Sequence, residues 1–179
     1  MSLKDLTREK HELAETTPFM KAVFADAMPM DVWVDYTFQK MFWYSAIEDG
    51  AKVAGLFDQM PGIERANLIK DDYFKMTVND DRLRIQNSTT RAYSQYIALL
   101  DDPKKIMAHL YTWHMGDIFG GQMIKKIIKA PHTHLDFTNS KDLISKVRVL
   151  LTDDMADEAN VAFDWAIKIL REYDNEFSV

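Results

Sequence analysis

Apolar residues recur along this chain at spacings of three and four, the period of helices with one buried face, and no strand-like alternation longer than a few residues interrupts them. Ser2 and Asp5 make a capping-box start for a helix running to about Glu15, and Thr17-Pro18 restarts a second helix to about Ala27. Asp31 is placed to cap a long apolar helix, VWVDYTFQKMFWYSAIED, ending near Gly50. Pro61-Gly62 breaks the next segment, beyond which the pattern predicts helices near 63–76 and 88–100, separated by the polar loop TVNDD. Asp102-Pro103 opens PKKIMAHLYTWHMGDIFGGQMIKKIIKA, which stops before Pro131. Two more helices are predicted at about 140–151 and 153–173. With six Gly, five Pro, no internal repeat and no low-complexity linker, the elements are expected to pack as one all-α bundle over residues 1–179.

Composition narrows the function classes. The 179 residues are 47% hydrophobic and 28% charged, a globular mix large enough for one core. Lys plus Arg is 22 against 28 Asp plus Glu, a net charge of −6 that disfavours nucleic acid as a partner. The absence of Cys removes disulfide scaffolds, thiolate zinc sites and cysteine nucleophiles together. MSLKDLTREKHELAE has no signal-like apolar region, and no stretch approaches the roughly 18 apolar residues of a membrane span, so a cytoplasmic protein without membrane contact is expected. Charge is uneven: residues 103–129 hold five Lys and one acid, and residues 152–179 hold eight acids and two bases. These are either two solvated faces of opposite sign or a docking surface.

Two groups of residues bear on chemistry. Lys4, Arg8, His11 and Glu15 follow one another at four, three and four residues, placing them on one helical stripe. Such a stripe is either a solvated face or a site in which the imidazole ligates a metal, the carboxylate orients it, and the cations receive acidic groups of the same ligand. In the second group, Gly116, Gly120 and Gly121 fall within six residues of a firmly helical segment, each costing about 1 kcal/mol relative to Ala. Gly116 and Gly120 share a wheel face with Trp113, Met123 and Ile127, leaving an apolar strip without side chains on which another helix or a flat ligand can lie. Asp117, beside that strip, is expensive to bury without a partner and is suited to organising water and delivering protons. His109, His114, His132 and His134 read as packing or surface residues, and the Met residues and the aromatic run 42–44 as core.

HLYTWHMGDIFGGQMIKKI, residues 109–127, resembles the distal-helix signature of heme oxygenases, whose core is Gly-Asp-x-x-Gly-Gly-Gln followed by a Lys pair. LKDLTREKHELAETTPFMK, residues 3–21, is similar to the family's proximal-helix region, and Tyr44 sits 33 residues beyond His11, where the family usually has a Tyr. The resemblance implies a single all-α domain with heme between proximal and distal helices. It makes His11 the iron ligand and Glu15 its orienting neighbour. Gly116, Gly120 and Gly121 become the backbone approaching heme, Asp117 the carboxylate holding a distal water network, and Tyr44 a further member of that network. Lys4, Arg8 and Tyr111 match propionate contacts, with Lys141, Lys146 and Arg148 as late-helix candidates for the same role.

The implied reaction consumes O2 and electrons to convert heme into biliverdin, of the IX-alpha isomer by family habit, with CO and ferrous iron. The implied donor is a soluble ferredoxin, steered by Lys125, Lys126 and Lys129 with Lys4, Arg8 and Lys10, and a bilin reductase is a natural downstream partner. Three departures bear on the water network: Trp113 stands where many members have Arg, Phe119 where Ser is common, and Ala166 where some relatives have Asn. A heme store or sensor without turnover, and a helical interaction protein binding no heme, are the competing classes.

Overall fold

The protein is described over residues 2–177 by a computed structural model, in which the regular elements are helices throughout. The Ser2 hydroxyl accepts from the Asp5 N–H while the Asp5 carboxylate accepts from Ser2, the reciprocal cap expected there. The single helix expected from this start is instead two, α1 (Leu3–Leu6) and α2 (Arg8–Glu15). Between them the backbone of buried Thr7 leaves helical values (φ −109°, ψ 1°), and its hydroxyl donates to the Leu3 carbonyl at 3.0 Å. Thr17 caps α3 (Pro18–Phe24), which ends earlier than expected.

Helix α4 (Met30–Val53) is the central element. It starts after Pro29 rather than at Asp31, which lies in the first turn where its charge suits the helix dipole. It ends where Gly55, at φ 68°, adopts the left-handed conformation that closes helices. Trp43, Tyr44, Ile47 and Ala51 are all fully buried on it. Helix α5 (Ala66–Met76) begins later than predicted because its first turn is tied to a distant side chain: the Glu48 carboxylate of α4 accepts from the Arg65 and Ala66 N–H groups. Asn87 caps α6 (Ser88–Ala98), and Asp102 caps α7 (Pro103–Phe119) by accepting from Lys104 N–H at 2.9 Å.

The long segment after Pro103 is broken at Gly120, so α8 (Gly121–Ile127) is a separate helix. Helices α9 (Ser140–Leu150) and α10 (Ala156–Arg171) complete the bundle. α4 packs against α5, α6 and α7, whereas α10 packs against α7, α2 and α3. Helices α2 and α7 are thus both seated on α10. The unequal charges of the chain meet at this seam: Lys10 pairs with Asp164 at 2.6 Å, Lys104 with Asp154 at 2.5 Å, and Lys105 with Glu158 at 3.7 Å. Much of the basic and acidic bias is therefore internal complementarity.

Candidate functional site

The residues expected on the proximal side lie on α1 and α2. His11 is half-exposed, its ring centre lies 5.6 Å from that of Phe163 of α10 in an edge-on arrangement, and its Nδ1 is 3.6 Å from a Glu15 carboxylate oxygen. One turn of α2 brings the His11 imidazole and the Glu15 carboxylate within ion-pairing distance of each other. Arg8 shares this helix and donates to Asp5 at 2.9 Å; Lys4 lies on α1, on the other side of the Thr7 break. The four residues therefore line two short helices rather than one continuous stripe.

On the distal side, the three glycines differ in what surrounds them. A side chain at Gly116 would meet nothing within 4 Å, so this face of α7 is open. At Gly120 a Cβ would lie 3.1 Å from the Gly116 carbonyl, the acceptor for Gly120 N–H at 2.7 Å. Gly121 sits beneath Leu135, whose nearest carbon would be 2.9 Å from an added Cβ. Gly116 provides the open surface, Gly120 the backbone turn and Gly121 the close packing that holds α8 against the 3-10 turn Thr133–Leu135.

Asp117 follows Gly116 by one residue, hence about 100° round the helix, and turns toward α4. Lys40 Nζ lies 2.9 Å from both carboxylate oxygens, and the Tyr44 hydroxyl donates to Oδ2 at 2.6 Å. Burial opposes ionisation of Asp117, but the Lys40 charge, the neighbouring His134 and the Tyr44 hydrogen bond outweigh it and hold the carboxyl below its ordinary pKa. The same burial, reinforced by the Asp117 charge, pushes the Tyr44 phenol well above its usual range, so Tyr44 is a permanent donor.

Around this cluster lies a shell of paired buried groups. His114 Nε2 is 3.0 Å from Glu48, and its ring packs 4.7 Å from that of Tyr44. His134 Nδ1 is 2.7 Å from Asp72. Burial and the Lys40 charge lower the His134 pKa despite the pull of Asp72 and Asp117. His109 bridges the Tyr93 hydroxyl at 2.8 Å and Glu158 at 3.0 Å. These three histidines are packing residues, as expected from sequence.

Lys40 was not expected. Its signal is a lone cation at i+4 from Tyr36 and i−4 from Tyr44, on a face of α4 that is otherwise aromatic and apolar. Trp113 is buried and donates to Tyr93 at 2.8 Å, so the cation beside Asp117 comes from α4. Phe119 is exposed and Ala166 buried. Tyr111 is half-buried against the core. On α9, whose Leu143 and Val147 face the core, Lys141 and Arg148 are exposed and Lys146 pairs with Asp142 at 2.7 Å.

The family model for heme oxygenase matches residues 1–149. Heme oxygenase 2 of Mus musculus is 27% identical over 210 residues, covering 99% of this chain and 66% of its own length. Heme oxygenase 1 of Gallus gallus is 33% identical over 138 residues, covering 70% of this chain and 45% of its own. The crystal structure of heme oxygenase-1 from the cyanobacterium Synechocystis, in complex with heme, superposes with a TM-score of 0.84 at 21% identity, covering 98% of this chain and 91% of that one. The chain belongs to the heme oxygenase family, and it has that family's single-domain helical fold. It spans just under two thirds of the length of its mouse relative.

The different surroundings of the glycines separate their roles experimentally. Gly116→Leu is expected to keep the fold, with stability unchanged or raised by about 0.5–1 kcal/mol through better helix propensity. Gly121→Leu, forced against Leu135, is expected to destabilise by about 1–3 kcal/mol. Thermal denaturation of the two variants without ligand checks this, and the opposite order would contradict it.

Proposed function

We propose that the chain degrades heme, holding it between α2 and the α7–α8 turn with His11 as the iron ligand. The observation that carries this reading is the open face of Gly116 next to a buried, ionised Asp117. The residues fit a flat iron porphyrin: a half-exposed imidazole on one side, a helix face without side chains on the other, and exposed Lys4 and Arg8 near the proximal ligand. When bound, heme supplies the O2 chemistry and is itself opened, to biliverdin IX-alpha, CO and ferrous iron, with three O2 and seven electrons.

The chain contributes orientation and proton handling. Glu15 fixes the His11 ring, and Gly116 and Gly120 let distal backbone approach the ring face, while Gly121 seats the turn from behind. Asp117 accepts hydrogen bonds from water on the distal side and so aligns the water's remaining protons toward the reaction. Tyr44, locked as a donor, fixes the Oδ2 edge of that carboxylate. Tyr111 and the α9 cations Lys141, Lys146 and Arg148 remain candidates for propionate contacts.

For the electron donor, the proposal is a soluble, acidic one-electron carrier of the ferredoxin type. The docking cations differ from the sequence expectation, because Lys125 is engaged by Asp136 and Lys10 by Asp164. Arg8 is likewise paired with Asp5, whereas Lys126 and Lys129 near the end of α8, with Lys4, remain exposed to steer such a partner. A bilin reductase would then consume the product.

Two measurements test the proposal. Reduction of the hemin complex under O2 is expected to give biliverdin and CO, and Asp117→Asn to bind hemin while losing about 10²–10⁴-fold in product formation. Intact hemin after reduction of the wild type, or undiminished yield from the variant, would contradict it. Separately, ferredoxin-driven turnover is expected to slow between about 50 and 300 mM salt, and charge reversal at Lys126 and Lys129 to raise the apparent KM for ferredoxin without changing ascorbate-driven turnover. Salt-independent kinetics with a silent double reversal would remove the docking surface.

A further inference from the structure

The distal carboxylate is held in an unusual amount of charge. Lys40 reaches both oxygens of Asp117 at 2.9 Å from the middle of α4, both side chains are nearly buried, and Tyr44 one turn further along donates to Oδ2 at 2.6 Å. The Lys40 ammonium also lies 4.9 Å from the centre of the Tyr44 ring, so the cation is fixed by the residue that shares its carboxylate. A carboxylate offers about four acceptor positions. Here Oδ2 accepts from Lys40 and Tyr44 and Oδ1 from Lys40 alone, which leaves the open position on Oδ1. Asp117 can therefore anchor one water, at one oxygen, from one side.

We infer that Lys40 is the positioning residue of the distal site: it keeps the buried Asp117 ionised, fixes its rotamer, and leaves the free side of Oδ1 as the single point where distal water is anchored. The catalytic part of this inference rests on the proposed role of Asp117 in heme degradation; the charge part rests on the geometry alone. A buried carboxylate that loses its cation either takes up a proton or leaves its place, and each outcome removes the anchored acceptor.

The pH dependence follows with a definite sign. With Lys40 present, Asp117 titrates below its ordinary value of 3.8, and its contribution to stability is present above that value and lost as pH falls. Without Lys40, burial is opposed mainly by the Tyr44 hydrogen bond and His134; the carboxyl is then expected to titrate above 3.8, with stability lost as pH rises toward the new folded value. The other groups facing Asp117 are Tyr36 and Tyr44 from α4, Arg65 from the segment before α5, and His134 from the 3-10 turn. His134 also faces Lys40 and changes in the same direction when the cation is removed, so it must be separated from Asp117.

The test uses the full chain without ligand, then its hemin complex. The difference in Tm between wild type and Lys40→Met is expected to widen by about 4 °C or more from pH 5 to pH 8. Lys40→Gln, which keeps a hydrogen-bond donor without the charge, is expected to show the same slope. Adding Asp117→Asn to Lys40→Met should collapse the slope, because the double variant keeps His134 and removes only the carboxylate. If Lys40→Met alone does not fold at neutral pH, the double variant is expected to recover folded protein. With hemin, biliverdin formation by Lys40→Met should fall about 10²-fold, with Lys40→Arg restoring most of it. A pH-independent Tm difference, a slope that persists in the double variant, or no recovery by that variant would overturn the charge role whatever the hemin result. A confirmed slope with undiminished biliverdin formation would overturn the positioning role. Loss of all heme degradation by the wild type would instead overturn the proposed function and leave the charge role standing.

Discussion

The constraint on which the site depends is the cost of an ionised carboxylate inside a helix bundle. Removing one such ion from water costs several kcal/mol even after the protein relaxes. Asp117 is kept charged by two residues of one neighbouring helix, Lys40 and Tyr44, one turn apart. α4 must therefore pass α7 at a register that presents that turn to Asp117. Much of the surrounding packing is explained by this requirement. Fully buried Trp43, Ile47 and Ala51 fix α4 against its neighbours, and Glu48 ties the next turn to His114 of α7 and to the start of α5.

A second requirement is that α2 and α7, the helices proposed to flank the heme, stay in place. α10 meets it by packing against both α2 and α7. The contacts are of two kinds: Phe163 lies against the His11 ring, and three acidic residues, Asp154 in the 3-10 turn before α10, Glu158 in its first turn and Asp164 further along it, pair with Lys104, Lys105 and Lys10. Of these pairs, the exposed ones contribute little stability individually, whereas Glu158 is half-buried and joined to His109 and Tyr96, and so belongs to the core. On α7, Gly116 lies on an open face.

How much of this was legible in the sequence depended on the range of the interaction. Local signals were readable: the Ser2–Asp5 capping box, the Thr17-Pro18 restart and the Asp102 cap are all present. Boundaries set from afar were not, since the start of α5 is fixed by Glu48, 17 residues upstream of Arg65. Likewise Gly116 and Gly120 share one face on an ideal wheel, and only the break at Gly120 makes the first open and the second crowded. The need of Asp117 for a partner followed from elementary electrostatics, and Tyr44 came from a resemblance. Lys40 stands 77 residues from Asp117, and nothing local connects them. A lone cation in an aromatic stripe is a local sign that could have marked it, and that sign does not identify the partner.

The central claim, that α2 and the Gly116 face of α7 enclose one heme, is tested most directly by titrating hemin into the wild type, His11→Ala and Gly116→Leu and following the absorption spectrum. The account predicts one hemin per chain with a histidine-ligated spectrum in the wild type. That spectrum is lost in His11→Ala and partly restored by added imidazole, and hemin affinity is weakened in Gly116→Leu although the protein remains folded. Wild-type spectra and affinity in both variants would place the heme elsewhere and contradict the account.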